Sequence, residues 1–129
     1  MPRLPRHPRF WLAAFLLWFG LLWLLSSFSS GGAIGPSIPH FDKIAHFGYF
    51  FGGSVLLSGY LFFRRPTRPN WRWIIITAVS LVALTGGLDE WHQSFIPGRS
   101  GNDPYDWFAD VLGATAGALA FKRFHRRLQ

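Results

Sequence analysis

The sequence contains no cysteine and few acidic residues. Its 129 residues include 13 lysines and arginines against 6 aspartates and glutamates, for a formal net charge of +7. The absence of cysteine excludes a disulfide scaffold, a thiolate-ligated metal site and a thiol nucleophile. Neither a P-loop nor a GxGxxG motif is present, so nothing supports nucleotide binding. Several common classes of enzyme are therefore excluded before any positive feature is considered.

Long apolar segments dominate what is present, since half of the residues are hydrophobic and 19% are aromatic. The first segment, residues 10–28, carries no charge and is long enough, at about 1.5 Å per residue, to cross most of a hydrocarbon core about 30 Å thick. A cleaved signal peptide is the alternative for this segment, although the apolar run is longer than a usual one. We predict a single domain over residues 1–129, an all-α integral membrane bundle with transmembrane helices at about 10–28, 42–63, 72–94 and 105–122.

The charges fall on two sides of this four-helix topology. Eleven of the 13 cations precede the first segment, follow the fourth, or lie between the second and third, with no acid among them. All six acids lie on the other side, together with Lys43 and Arg99. The positive-inside rule then places both termini and the 64–72 loop in the cytoplasm, and the loops near 29–42 and 89–106 outside. We interpret the basic clusters as topology determinants that attract anionic lipid, not as a nucleic-acid-binding surface.

Polar side chains form a stripe at the start of the second helix. At about 100° per residue, Asp42, His46 and Tyr49 share one face, and Gly53 continues it. Such a face packs on other helices because lipid penalises it. Alternatives are an N-cap role for Asp42 and an interfacial position for Tyr49 with its hydroxyl satisfied. Lys43 is about 100° away from Asp42 and is expected to point to the headgroups.

The fourth helix has the same character. Asp106 and Asp110 are four residues apart, and Gly113 and Gly117 lie on the same stripe, so the two carboxylates are expected to face the bundle. Capping of the helix by Asp103 or Asp106 is the alternative interpretation.

The third helix contributes Asp89, Glu90, His92 and Gln93 if it continues past Leu88, and Pro97-Gly98 ends the segment. Arg99 follows, and pairing with Asp106 or Asp110 would give it a structural role. Three helices thus deliver polar groups near one membrane face. The candidate site residues, with no individual roles assigned, are Asp42, His46, Asp89, Glu90, Gln93, Arg99, Asp106 and Asp110.

Several chemistries fit these residue types. Histidines with carboxylates are ligands for divalent cations, and His46, Glu90 and His92 are the metal candidates, although no compact motif such as HExxH is present. A histidine beside an aspartate also suits general base catalysis. Lys43 and Arg99 could hold a lipid phosphate, but the acids outnumber the cations there, which argues against a simple anion site. The sequence identifies no cofactor.

Three motifs resemble those of VanZ-like membrane proteins. They are Asp42-Lys43-x-x-His46, then Asp89-Glu90-x-x-Gln93-x-Phe95-x-Pro97-Gly98-Arg99, then Asp106-x-x-x-Asp110-x-x-Gly113-x-x-x-Gly117. The resemblance covers residues 10 to 121. It implies a small multi-helix protein of the bacterial cytoplasmic membrane, in a family whose namesake is linked to resistance to the glycopeptide teicoplanin.

The leading functional hypothesis is an outward-facing site that binds or modifies an envelope lipid or a lipid-linked headgroup. The alternative is a non-enzymatic membrane scaffold whose polar cluster is an interhelical network, and the sequence leaves open whether the protein is an enzyme. The expected partners are membrane lipids, not nucleic acid. Gly113 and Gly117 also suggest a homo-oligomer.

Overall fold

The computed structural model describes residues 5–28, 40–99 and 101–127, and these residues contain four α-helices and no strand. The all-α fold is therefore as predicted. Residues 29–39 of the predicted outer loop near 29–42 lie outside the described residues. The helices are α1 (Pro8–Ser27), α2 (Phe41–Phe63), α3 (Trp71–Gln93) and α4 (Pro104–Phe124), and a 3-10 turn (His125–Arg127) follows them.

Side-chain hydrogen bonds cap the starts of α3 and α4, whereas α2 starts after His40 without one. Asn70 caps α3 by accepting from the Trp73 amide at 3.0 Å. Asp103 caps α4 by accepting from the Tyr105 amide at 2.9 Å, so capping of this helix falls to Asp103 and not to Asp106. The N-cap interpretation of Asp42 is wrong, because this residue lies one position inside α2. Asp42 and Asp106 therefore both lie in the first turn of their helices. There the negative charge of each carboxylate is stabilised by the positive end of the helix dipole.

Two helices of the described residues, α1 and α3, are long and apolar enough to cross a membrane. The other two, α2 and α4, are of similar length but do not reach the same mean hydropathy. Length is thus sufficient in all four helices, and composition separates the two pairs.

Helices α2 and α4 are in backbone contact. A Cβ atom at Gly113 would collide with the carbonyl oxygen of Phe47, and one at Gly117 would collide with that of Phe51. Only glycine permits so close an approach between two helix backbones. The two helices can therefore place short side chains from both sides into one shared space.

The glycines expected to support a homo-oligomer are thus already in contact within the chain. Gly113 and Gly117 are both buried against α2. They offer no surface to a second copy in this fold, and any oligomer would have to use another part of the molecule.

Helix α1 lies against α2 through two tryptophans. The rings of Trp11 and Trp18 cover Gly59 and Gly53, so a Cβ at either glycine would collide with indole atoms. The Trp18 indole donates to the carbonyl of Tyr49 at 3.0 Å, and the Tyr49 hydroxyl donates to the carbonyl of Trp18 at 2.7 Å. Tyr49 therefore has its hydroxyl satisfied within the bundle, and its side of the predicted α2 stripe faces α1.

Replacing Gly113 by alanine tests the backbone contact. The new methyl group must push α4 away from Phe47, and overpacking of this kind costs about 1–3 kcal/mol. Gly52→Ala is the matched control, because a Cβ at Gly52 has open space around it. We expect thermal unfolding in detergent to occur at a lower temperature for Gly113→Ala and not for Gly52→Ala. Equal melting temperatures would show that the contact is looser than the structure indicates.

Candidate functional site

Four ionisable side chains from three helices meet at one end of the bundle. We call His46, Glu90, Asp106 and Asp110 the acidic cluster. The Nδ1 atom of His46 lies 2.8 Å from Oδ1 of Asp110, and its Nε2 atom lies 3.8 Å from Oδ2 of Asp106. One ligand atom from each of His46, Glu90 and Asp106 lies within 4.8 Å of the other two. The predicted convergence of α2, α3 and α4 thus brings these four side chains together.

Asp110 is at the deepest position of the cluster and has no exposed surface. It fits there because α3 carries Gly86, where a Cβ would lie 2.6 Å from Oδ2 of Asp110. This oxygen has no hydrogen-bond partner among the described residues. Among the described residues, His46 is the one side chain with a hydrogen bond or ion pair to Asp110, so the two form a pair.

Glu90 is held in place by one of its two carboxylate oxygens. The backbone amide of Asp103 donates to Oε2 of Glu90 at 3.0 Å. The other oxygen, Oε1, is buried and has no hydrogen-bond partner within the described part of the chain. The start of α4 therefore fixes the carboxylate while leaving half of its hydrogen-bonding capacity unused.

Lys43 is the cation that contacts the acids around the site. Its Nζ atom lies 2.6 Å from Oδ2 of Asp42, 3.0 Å from Oδ2 of Asp103 and 2.7 Å from Oδ1 of Asp106. The contact with Asp106 is an ion pair that is not aligned as a hydrogen bond, whereas Asp42 and Asp103 accept hydrogen bonds. Because Lys43 is in the first turn of α2, it faces the first turn of α4. Its ammonium holds the pKa of Asp103 below its usual value.

Arg99 pairs with neither Asp106 nor Asp110, so that expectation is wrong. Its guanidinium donates to Oε1 of Gln93 at 3.2 Å and to the carbonyl of Phe28 at 3.3 Å. Lys43 already contacts Asp106, and Asp110 lies deep in the bundle beside His46. Arg99 therefore ties the segment after α3 to the end of α1.

Asp89 belongs to a second, separate group of polar side chains. The hydroxyl of Ser26 donates to Oδ1 of Asp89, and the Gln93 amide donates to Oδ2 at 2.7 Å. All three side chains are buried. We call Ser26, Asp89 and Gln93 the α1–α3 network, because it joins these two helices and shares no hydrogen bond or ion pair with the acidic cluster among the described residues.

His92 and Asp42 also lie outside the acidic cluster. The His92 ring stacks on Trp23 at 3.9 Å between centroids, and its Nε2 lies 3.0 Å from the hydroxyl of Ser27. Two residues along a helix differ by about 200° in direction, so His92 cannot share the face of Glu90. In the candidate metal set, Asp106 takes the place expected for His92. The Asp42 side chain is 58% exposed, at the rim beside Lys43.

Comparison with known proteins identifies the family. A family model described as VanZ/LLP1 matches residues 10–125. The chain belongs to the VanZ/LLP1 family. No curated protein and no solved structure matches it significantly. The match spans all four helices, and with the two apolar helices it indicates a membrane protein of a family linked to glycopeptide resistance.

In this VanZ/LLP1 chain, acids outnumber cations around the site. Glu90, Asp106 and Asp110 are buried together beside His46. Apart from this histidine, Lys43 is the one basic side chain among the described residues that forms an ion pair with any of the three acids. Such a group favours ligands that are cations or hydrogen-bond donors over free anions, because buried like charges repel one another. The acidic cluster is therefore suited to bind positive charge.

Ser26 and the role of Lys43 were missed by the sequence-based interpretation. A serine at the end of an apolar helix carries no signal that distinguishes it from a surface serine. Lys43 is adjacent to Asp42 but far from Asp103 along the chain, so the sequence did not show that its ammonium contacts both acids. The acids at positions 103 and 106 do not indicate a nearby cation either, because the N-terminus of a helix favours acidic residues by itself.

Asp89→Ala tests the α1–α3 network. Without its carboxylate, Ser26 and Gln93 lose a buried acceptor, and a buried unsatisfied group costs about 1–3 kcal/mol. The control is Asp42→Ala, whose exposed ion pair contributes about 1 kcal/mol or less. Unfolding of both variants is measured by thermal denaturation in detergent, and Asp89→Ala is expected to melt at the lower temperature. Similar melting of the two variants would contradict a stabilising network.

Proposed function

We propose that the chain is a multi-pass protein of the bacterial cytoplasmic membrane, with four spans and both termini inside. We further propose that the acidic cluster faces outward and binds, or acts on, the headgroup of an envelope lipid. The observation that carries this proposal is the convergence of buried ionisable side chains from three helices at one end of an otherwise apolar bundle. Such groups are costly in a membrane, and their usual justification is a ligand or a reaction.

The surface of the bundle supports the four-span arrangement. Large apolar side chains are exposed on all four helices, along α1, α3 and α4 and near the start of α2, and Leu17, on α1, is 74% exposed. Soluble monomers rarely expose apolar surface on this scale, whereas contact with lipid tails requires it. Exposed examples from the other helices are Ile44, Phe47, Ile76, Leu81, Leu84, Phe108, Leu112 and Leu119.

The absence of cysteine makes the topology directly testable. Thr67→Cys, in the turn between α2 and α3, and Tyr105→Cys, at the start of α4, each introduce a single exposed thiol. In spheroplasts of a bacterial host, a membrane-impermeant maleimide is expected to label Tyr105→Cys at once and Thr67→Cys only after lysis. The cysteine-free protein is the control for unspecific labelling. The reverse pattern would overturn the orientation, and labelling of both in intact spheroplasts would overturn the number of spans.

The charge of the site indicates which headgroups it suits. Carboxylates accept hydrogen bonds from hydroxyl and ammonium groups, and both occur on lipid headgroups. His46 and Lys43 are partly exposed, so the cluster is open toward the surface of the bundle at the start of α2. A headgroup at the membrane surface can therefore reach the cluster while its acyl chains stay against the apolar helices.

Native mass spectrometry of protein purified in mild detergent tests lipid binding. We expect the wild-type protein to retain one lipid of discrete mass and His46→Gln and Asp106→Asn to lose it. Arg68→Ala, at the basic end, is the control, because general attraction of anionic lipid would be weakened there instead. Bound lipids that merely follow the bulk composition, or that survive both site substitutions, would contradict a headgroup site.

One observation favours a second function, that of a non-enzymatic scaffold. The α1–α3 network consists of side chains that satisfy each other and leave little capacity for a ligand. If the acidic cluster served the same purpose, its substitutions would lower the melting temperature without changing the bound lipid. The melting temperatures of His46→Gln and Asp106→Asn therefore separate the two functions.

A further inference from the structure

The acidic cluster contains more negative charge than its described neighbours neutralise. Oε1 of Glu90 and Oδ2 of Asp110 are buried without a hydrogen-bond partner among the described residues. We propose that His46, Glu90 and Asp106 bind one divalent cation of the zinc or manganese type. The cation would be part of the proposed headgroup site. Only the identity of its ligand from outside the protein rests on the proposed headgroup function.

His46 is oriented as a metal ligand. Its Nδ1 atom is 2.8 Å from Oδ1 of Asp110. An ionised carboxylate can only accept, so Nδ1–H donates this hydrogen bond and the lone pair of Nε2 is directed to the other side of the ring. A histidine that donates to a carboxylate through one nitrogen and faces a cation with the other is the common arrangement in metal sites. Asp110 is thus the positioning residue, and His46 is the ligand.

The distances among the three ligand atoms suit a single ion. All of them lie within 4.8 Å of one another, and Nε2 of His46 is 3.8 Å from Oδ2 of Asp106. Four ligands at about 2 Å from a tetrahedral ion lie about 3.3 Å apart. Small side-chain rotations are therefore enough to close the site, without movement of the helices.

Glu90 supplies an independent reason for a ligand at this place. The side chain is only 4% exposed, and its Oε1 atom has no partner in the described part of the chain. Its Oε2 atom is fixed by the Asp103 amide, so the carboxylate is oriented before any ligand arrives. Two carboxylates and a neutral imidazole would balance the charge of a divalent cation. Without such a cation, the negative charge of the buried acids is not fully compensated.

Lys43 is compatible with the cation because it occupies a different oxygen. Its ammonium is 2.7 Å from Oδ1 of Asp106, whereas Oδ2 is the atom that faces His46. Asp106 can therefore bridge the lysine on one side and the cation on the other.

The mixture of ligands selects the type of cation. Magnesium and calcium prefer oxygen ligands, whereas an imidazole nitrogen with two carboxylates suits zinc and manganese. Three protein ligands also leave at least one position open, as in sites that bind a substrate. A phosphate oxygen of a headgroup could take that position, which would reconcile an acid-rich site with an anionic lipid.

Cation binding is tested on the full-length chain in detergent, carried on a tag without histidine. After treatment with a chelator, the protein is titrated with zinc, manganese and magnesium chloride by calorimetry, and thermal unfolding is followed in parallel. We expect one equivalent of zinc or manganese to bind and to raise the melting temperature, with magnesium at least about 10-fold weaker. Glu90→Gln should lower the affinity at least about 10-fold, since even residues that only support a ligand have effects of that size.

Two further variants keep the test decisive. Asp42→Asn removes an exposed acid at the same end, so its affinity should stay within about two-fold of wild type. Asp106→Asn should weaken binding as Glu90→Gln does, and it replaces that variant if the latter does not fold. Absence of stoichiometric binding, equal binding by magnesium, or wild-type affinity in both ligand variants would overturn the proposal.

Native mass spectrometry separates this proposal from the lipid function. Native mass spectra are recorded with and without the chelator. A retained cation without a discrete lipid would support the metal site and overturn the headgroup function. A discrete lipid with no cation in any preparation would do the opposite.

Discussion

The polar end of the molecule depends on the backbone contact between α2 and α4. Gly113 and Gly117 rest against the carbonyl oxygens of Phe47 and Phe51, so the two helix axes approach closely. The same stripe of α4 carries Asp110 about one turn and Asp106 about two turns before Gly113. A close approach at the glycines therefore forces both carboxylates into the interface with α2, where His46 meets Asp110 at 2.8 Å. The spacing of the two acids and the two glycines along α4 therefore determines both the helix packing and the geometry of the site.

That contact creates an electrostatic problem which the chain solves only in part. Asp110 is buried beside Gly86 of α3, and Glu90 lies one turn further along that helix, so α3 and α4 together supply three acids to one small volume. His46 and Lys43 compensate for some of this charge. Burying an uncompensated carboxylate costs several kcal/mol, so natural bundles rarely keep such groups without a use. The excess of acid is the property that distinguishes this end of the bundle from an ordinary interhelical network.

Helical periodicity explains why much of this was predictable. Direction around a helix follows from spacing, so the inward faces of α2 and α4 could be assigned from His46, Asp106 and Asp110 alone. Spacing does not say which residue of one helix meets which residue of another. The choice of Lys43 over Arg99 as the partner of Asp106 depends on the register between α2 and α4, which the sequence leaves open. The contribution of α1 was hidden for a different reason, since a serine at the end of an apolar helix, with Ser27 as its polar neighbour, carries no sign of a buried partner.

Asp89 and Glu90 show how one helix can serve two purposes. Consecutive residues on a helix differ in direction by about 100°, so these two acids face different neighbours although they are adjacent in sequence. Asp89 turns toward α1, and its two oxygens accept hydrogen bonds from Ser26 of α1 and from Gln93 of α3. Glu90 turns toward α4, where one oxygen is held and the other is left without a partner among the described residues. The satisfied acid holds the bundle together, and the unsatisfied one has capacity for a ligand. The adjacent acids of the motif therefore differ in their surroundings, and the proposed ligand site draws on Glu90 and not on Asp89.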